Sequence, residues 1–219
     1  MMTNLFSIFD PTSTLNLNWL TPMMLMIILF PSFYISYNRI NISFKFINLL
    51  MINEFKINIK TNKFIIIIMN MFFFIWLSNL YSIFPYIFST TSHLQYNIIM
   101  AMPIWLSIII MGWMLNMNHM FSHLVPQSTP IILIPFMVCI EMISNIIRPI
   151  TLTVRLTANL IAGHLLLTLL SKLNMNINMM LVPMIIITQI ILLMLELSVA
   201  MIQAYVFTIL LSLYFLDIN

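Results

Sequence analysis

The stretch Met179–Leu216, MMLVPMIIITQIILLMLELSVAMIQAYVFTILLSLYFL, decides the fold. It runs 38 residues without a glycine, and Pro183 is its only proline. As a helix it would measure roughly 57 Å at 1.5 Å per residue, whereas a bilayer core is only about 30 Å thick. Folding it into two spans needs a turn, and the stretch holds no turn residues. One helix inclined far beyond the usual tilt of ~20° is the remaining solution. Ile131–Leu170 is a second apolar stretch, 40 residues long, with Pro135 and Pro149 inside it; the polar turn Ser171–Asn178 joins the two. The expectation is an antiparallel hairpin of two long, strongly tilted membrane helices, 131–170 and 179–216.

Composition agrees. Of 219 residues, 62% are apolar and 6% charged, and the mean hydropathy is +1.08. Soluble domains carry about a quarter charged residues, and disorder needs low hydrophobicity, so an ordinary soluble enzyme and a disordered chain are both excluded. No Asp, Glu, Lys or Arg occurs from Phe64 through Ile140. Gly occurs twice and Ala five times, against 22 Met and 20 Asn. The favoured residues have A/T-rich codons, which points to an organellar kind of genome. Membrane helices usually hold more small residues than this, so the few present carry more information.

The rest of the chain reads as one membrane domain, 1–219. Residues 19–37 form a first span, broken by Pro22 and Pro31. Residues 39–63 mix apolar, Asn, Lys and Glu residues and read as an interfacial segment; a plain loop or a strand are the alternatives. Residues 64–88 and 96–115 form a hairpin of spans, and 116–130 reads as a loop. Arg39, Lys45, Lys56, Lys60 and Lys63 cluster in one segment, which marks the inner face and puts the N-terminus outside. Met1–Trp19 has no positive charge, so it resembles neither a secretory signal nor a transit peptide. The fold class expected is an all-α integral membrane protein: upright N-terminal helices, one interfacial segment and the tilted C-terminal hairpin.

Charges inside the tilted pair stand out. Glu141, Arg148, Arg155 and Glu196 each cost about 2.5–3.5 kcal/mol near mid-membrane. A structural ion pair, Arg155 with Glu196, is the bland explanation. Glu141, Arg148 and Arg155 recur every seven residues and form one drifting stripe, with Asn145 and Asn159 on or beside it. His164, nine residues beyond Arg155, lies about 180° round the helix. On a steeply inclined helix those faces look toward opposite sides of the membrane, so one helix can serve two aqueous approaches. Glu196 and Gln203 share a face of the last helix. Ala158/Ala162 and Ala200/Ala204 sit beside these polar pairs at a spacing that permits close helix approach, either to each other or to a partner.

The run Arg155-Leu-Thr-Ala-Asn159-Leu-Ile-Ala-Gly163-His164-Leu-Leu resembles the signature of the F-type ATP synthase subunit a family, in the animal mitochondrial style. So do Leu195-Glu196-Leu-Ser-Val-Ala-Met-Ile-Gln203-Ala-Tyr205-Val-Phe and Ile140-Glu141-Met-Ile-Ser-Asn-Ile-Ile-Arg148-Pro149. Met102-Pro103-Ile-Trp105 and His123-Leu-Val-Pro126-Gln127-Ser-Thr-Pro130 are weaker matches. The resemblance covers about Ala101 to the C-terminus; residues 1 to 90 match in hydropathy alone. It implies a proton-conducting stator subunit beside a ring of carboxylate-bearing c subunits. Arg155 would face the ring. Glu196, His164, Asn159 and Gln203 would line the intermembrane-space entry, and Glu141 and Asp217 the matrix exit. Ile150 and Thr153 stand where relatives commonly have small residues, and Arg148 is not a universal family feature.

The implied partners are the c-ring, subunit b with other peripheral-stalk and small membrane subunits, and the lipid bilayer. The implied location is the mitochondrial inner membrane, multi-pass, with the N-terminus in the intermembrane space and the C-terminus in the matrix. No cofactor, metal, nucleic acid or directly bound nucleotide is expected, and no nucleotide-binding motif is present. Two other readings compete. A haem-bearing redox subunit needs axial histidines on facing helices, but His93, His119 and His123 fall in turns and loops and only His164 lies within a span. A secondary transporter commonly shows internal repeats, and none is seen.

Overall fold

The computed structural model describes residues 6, 9–12, 14–23, 39–59, 62–84, 87–125, 130–174 and 181–218. The described residues are almost wholly helical. Thr14–Leu20 forms a 3-10 helix; residues 24–37 of the expected first span lie outside the described residues. Helix α1, Arg39–Asn58, occupies most of the expected interfacial segment, so its alternation of Ile and Asn is read out at helical rather than strand period.

Helix α2, Asn62–Ile83, ends five residues short of the expected 64–88. Pro85 disfavours helix in the residue before it, and Phe84 is already a bend. A 3-10 turn, Thr90–Ser92, leads into α3, Leu94–Leu115. The expected loop 116–130 is corrected in part: Met117–His123 forms α4. Its polar composition suggests a loop, but it lacks a helix breaker before Pro126. A 3-10 turn, Ile131–Leu133, opens α5, Ile134–Asn174, and α6 is Val182–Ile218.

The two long helices have 41 and 37 residues, hence lengths of roughly 62 and 56 Å. Helix α5 continues through Pro149, whose ring removes the hydrogen bond to the carbonyl four residues earlier without ending the helix. Four segments are long and apolar enough to cross a membrane: Phe64–Ile83, Leu94–Leu115, Ile131–Lys172 and Val182–Leu216. The most apolar stretch of each of the last two has almost no residue buried by this chain, which is tolerable only in lipid or against other subunits.

Helix α2 is the keystone. Phe55 and Ile59 from the α1 end, Ile65, Ile68, Met69, Phe72, Phe73 and Ile75 from α2, and Phe207, Leu211 and Phe215 from α6 form one buried cluster. On α6 the buried residues Ala200, Ala204, Phe207, Thr208, Leu211, Ser212 and Phe215 recur every three or four positions, one stripe turned inward. Phe64 and Phe215 stack with centroids 3.8 Å apart. The Tyr205 hydroxyl donates to Glu54 Oε2 at 3.1 Å, tying α1 to the same helix. Helices α5 and α6 run antiparallel: Gly163 meets Glu196, while the earlier Arg148 meets the later Tyr214.

Ala204 is fully buried in this packing. Ala204→Leu adds volume where none is free, so it should destabilise the chain by about 1–3 kcal/mol. A lowered melting midpoint of the detergent-solubilised protein checks this, and Ala158→Leu, at an exposed position, should leave the midpoint unchanged.

Candidate functional site

The interior between α2, α3 and the long hairpin is unusually polar for a membrane protein. Ser78, Asn79, Ser82, Asn97, Thr153, Thr157, His164, Thr208 and Ser212 are buried, as is the turn Ser89–Ser92. Most of the hydroxyls are satisfied within their own helix. Thr153, Thr157 and Ser212 donate to the carbonyl three residues earlier at 2.8–2.9 Å. Others are not satisfied: His164 Nε2, Glu196 Oε1 and Gln203 Oε1 are buried without a hydrogen-bond partner among the described residues. Buried polar atoms rarely stay unpaired, so these three call for water or a moving proton.

Gly163 and Glu196 explain each other. A Cβ on Gly163 would lie 2.6 Å from Glu196 Oε1 and 2.7 Å from its Cδ. In a chain with 2 glycines, this one makes a seat on α5 for a carboxyl carried by α6. The neighbouring His164 is 7% exposed. Its ring lies against the Ser82 main chain and edge-on to Phe9, with centroids 6.1 Å apart.

At the same end of the molecule, His93 packs against Trp19 at 5.5 Å and Phe88 at 5.1 Å. Burial lowers the His93 pKa below the usual imidazole value, which favours a neutral ring at neutral pH. The N-terminal segment, the Thr90–Ser92 turn and the His164 turn of α5 therefore share one end. The Phe64–Phe215 stack and the Glu54–Tyr205 bond belong to the opposite one.

Toward that opposite end, Arg148 Nη2 lies 3.3 Å from Glu141 Oε1. The Arg148 guanidinium also sits 5.0 Å over the Tyr214 ring, a cation–π contact that fastens α5 to α6. Sequence spacing put Glu141 and Arg148 on one stripe; the structure makes them an ion pair.

Arg155 lies between the two ends on α5. It is exposed and has neither an ion pair nor a hydrogen bond among the described residues. The bland alternative, a pair with Glu196, is not formed: Glu196 is seated on Gly163 instead. The exposed face around Arg155 carries Thr151, Ala158 and Ala162, while His164 is buried on the other side. Asn159 and Gln203 are half-buried. Asp217 falls in the last turn of α6, its side chain outside what is described. The alanine pairs divide: Ala200 and Ala204 are buried within the chain, whereas Ala158 and Ala162 are exposed. No group of three or more His, Cys, Asp or Glu comes together among the described residues.

These features define a helical membrane protein in which, among the described residues, His164 and Glu196 keep unpartnered polar atoms toward one end, Arg148 and Glu141 pair toward the other, and Arg155 between them has no ion pair. Comparison with known proteins narrows the class. Residues 17–216 match the family model described as ATP synthase A chain. The chain is 49% identical over 221 residues to ATP synthase subunit a of Locusta migratoria, covering 98% of each chain. It is 47% identical to that of Aedes aegypti and 48% identical to that of Drosophila melanogaster, over the full length of each. The chain belongs to the ATP synthase A chain family. A match of this extent decides against the redox-subunit and transporter readings.

Gly163→Ala places a methyl group on the Glu196 carboxyl and should push it from its seat. Because the carboxyl ends a flexible side chain, the helices need not separate. The expected result is normal insertion with proton pumping reduced, by up to about 100-fold for a displacement near 1 Å. ATP-driven acidification of membrane vesicles, set against the amount of assembled protein, checks it.

Proposed function

We propose that the chain is the stator half of a proton-driven rotary motor. As the proton-translocating membrane subunit of an F-type ATP synthase, it provides two offset aqueous half-channels that pass protons to and from the carboxylates of a rotor c-ring. The observation that carries the reading is the exposed guanidinium of Arg155 in the middle of a membrane helix. Facing hydrocarbon, it costs about 2.5–3.5 kcal/mol on insertion scales, and it cannot escape by deprotonation. An anion outside this chain relieves that cost. Ala158 and Ala162 on the same face let a second helix approach closely enough to bring one.

The mechanism follows from charge. A ring carboxylate enters lipid only when neutral, because a bare charge there is very costly. It must take up a proton before it leaves the stator. Glu196 and His164 relay that proton from the entry side, with Asn159 and Gln203 along the path, and the unpartnered polar atoms of His164, Glu196 and Gln203 suit a hydrated relay. Near Arg155 the fixed cation favours the ionised carboxylate, so the ring group releases its previous proton toward Glu141 and Asp217. Arg148 holds Glu141 in place on that side. Arg155 also repels protons between the half-channels and so prevents a short circuit. The proton-motive force then biases rotation, and ATP is made in a remote catalytic sector.

The location that fits is the mitochondrial inner membrane. The N-terminus and the His164 end face the intermembrane space, and the basic α1 segment and the C-terminus face the matrix. The c-ring, subunit b, other peripheral-stalk subunits and small membrane subunits would cover the apolar faces that this chain leaves open.

Arg155→Ala should abolish ATP synthesis, and Arg155→Lys should leave it badly impaired, because lysine is smaller, can deprotonate and presents different donor geometry. Synthesis rates in energised vesicles decide this; coupled synthesis in the alanine variant would overturn the assignment. A cysteine at Ala158 or Ala162 should cross-link to a cysteine beside the ring carboxylate.

A further inference from the structure

Phe9 and Trp19 are aromatic residues of the N-terminal segment with no part in the roles assigned above. Phe9 stands edge-on to the His164 ring, with centroids 6.1 Å apart and planes at 78°. Local hydrogen bonds bend the chain on both sides of it. The Phe9 amide donates to the Phe6 carbonyl at 3.1 Å. Asp10 Oδ1 accepts from the Thr12 amide at 3.2 Å and from the Thr12 hydroxyl at 2.7 Å, an Asx turn. The 3-10 helix Thr14–Leu20 then carries Trp19 to the residue before α3. There Trp19 lies 5.7 Å from Phe88 and 5.5 Å from His93, and Phe88 lies 5.1 Å from His93, so three rings close on one another. Asp10 and Thr12, at the bend between the two contacts, are exposed.

We propose that the N-terminal segment is a strap across the relay histidine, in which Phe9 is a positioning residue for His164 and Trp19 is the clasp. His164 is 7% exposed. Its ring lies against the Ser82 main chain, and its Nε2 is buried without a hydrogen-bond partner among the described residues. An imidazole held on one side alone can still turn about its side-chain bonds. Phe9 bears on it from the strap in the edge-on arrangement that aromatic pairs favour, and it offers neither a proton donor nor an acceptor. It therefore fixes the direction of Nε2 and closes the ring to direct approach across the N-terminal segment, leaving proton exchange to the polar groups of the helices. Trp19 fastens the same segment to His93 and Phe88, so the strap joins α5 to the turn that precedes α3. The effect on proton entry rests on the half-channel reading above; the shielding of His164 does not.

The test uses the assembled synthase. Diethyl pyrocarbonate acylates accessible neutral imidazoles, and mass spectrometry reads each histidine of this chain separately. In the native enzyme His164 should react far more slowly than the exposed His119. Phe9→Ala should speed labelling of His164 several-fold and lower ATP-driven proton pumping several-fold at equal assembly. Phe9→Leu keeps apolar bulk at that point and should restore both readouts toward the native values. Trp19→Ala leaves Phe9 in place, yet by releasing the clasp it should speed labelling of His164 as well as of His93. Labelling of His164 that is unchanged in Phe9→Ala would overturn the shielding. Faster labelling with pumping unchanged would overturn the positioning role. An effect of Trp19→Ala confined to His93 would overturn the strap as one unit. None of these results touches the half-channel reading, which fails separately if Arg155→Ala remains coupled.

Discussion

A guanidinium exposed on an apolar helix is the constraint from which the rest of this molecule follows. Arg155 has no counter-charge among the described residues, although carboxyl groups stand on both long helices. Glu141 is taken by Arg148, and Glu196 by its seat on Gly163. Glu141 and Glu196 are thus each held away by a specific contact. A cation that cannot shed its proton and has no anion paired with it among the described residues calls for another. On the proposed function, a ring carboxylate of another subunit meets that requirement.

Holding that requirement in place takes a rigid frame. The most apolar stretches of the long hairpin are scarcely buried within the chain, so mutual burial of the two helices does not by itself hold them. Helix α2 supplies the missing packing, through the cluster that runs from Phe55 to Phe215. Two contacts then fix the register of the hairpin: Gly163 against Glu196, and Arg148 over Tyr214. One is a void filled by a carboxyl, the other a cation on a ring. A slip of either helix along its axis would break both together, and this keeps Arg155 at one depth between them.

The long helices were legible because length and missing turn residues admit few solutions. Residues 131–170 and 179–216 were expected, and Ile134–Asn174 and Val182–Ile218 are found. The opposition of Arg155 and His164 was legible from helical phase alone. Helix α4 was not, since its polar residues looked like a loop by the standards of so apolar a chain. The contact of Phe9 with His164 was also hidden. Phenylalanine occurs 17 times here, so a single one near the N-terminus carried little signal. The contact brings the N-terminal segment onto α5, a tertiary event with no local pattern. The Arg148–Glu141 pair lay between these cases: the spacing placed both on one stripe, but seven residues is two full turns, and only the structure shows the side chains meeting.

The scarcity of small residues bears on how one helix serves two tasks. On the proposed function, helix α5 presents a close-approach surface on the Arg155 side, and it receives the Glu196 carboxyl on the other. Both tasks need missing side-chain volume, and a sequence with 2 glycines and five alanines supplies it at few positions. It is supplied where the geometry demands: Ala158 and Ala162 remain exposed beside Arg155, and Gly163 is buried under Glu196. Exchanging those roles would fail on both faces. A bulky residue at 158 or 162 would hold a neighbouring helix away from the cation. An alanine at 163 would evict the acid from the interior. The phase between Ala162 and Gly163, a single residue step of about 100°, therefore separates the exposed small-residue face beside Arg155 from the seat of the Glu196 carboxyl.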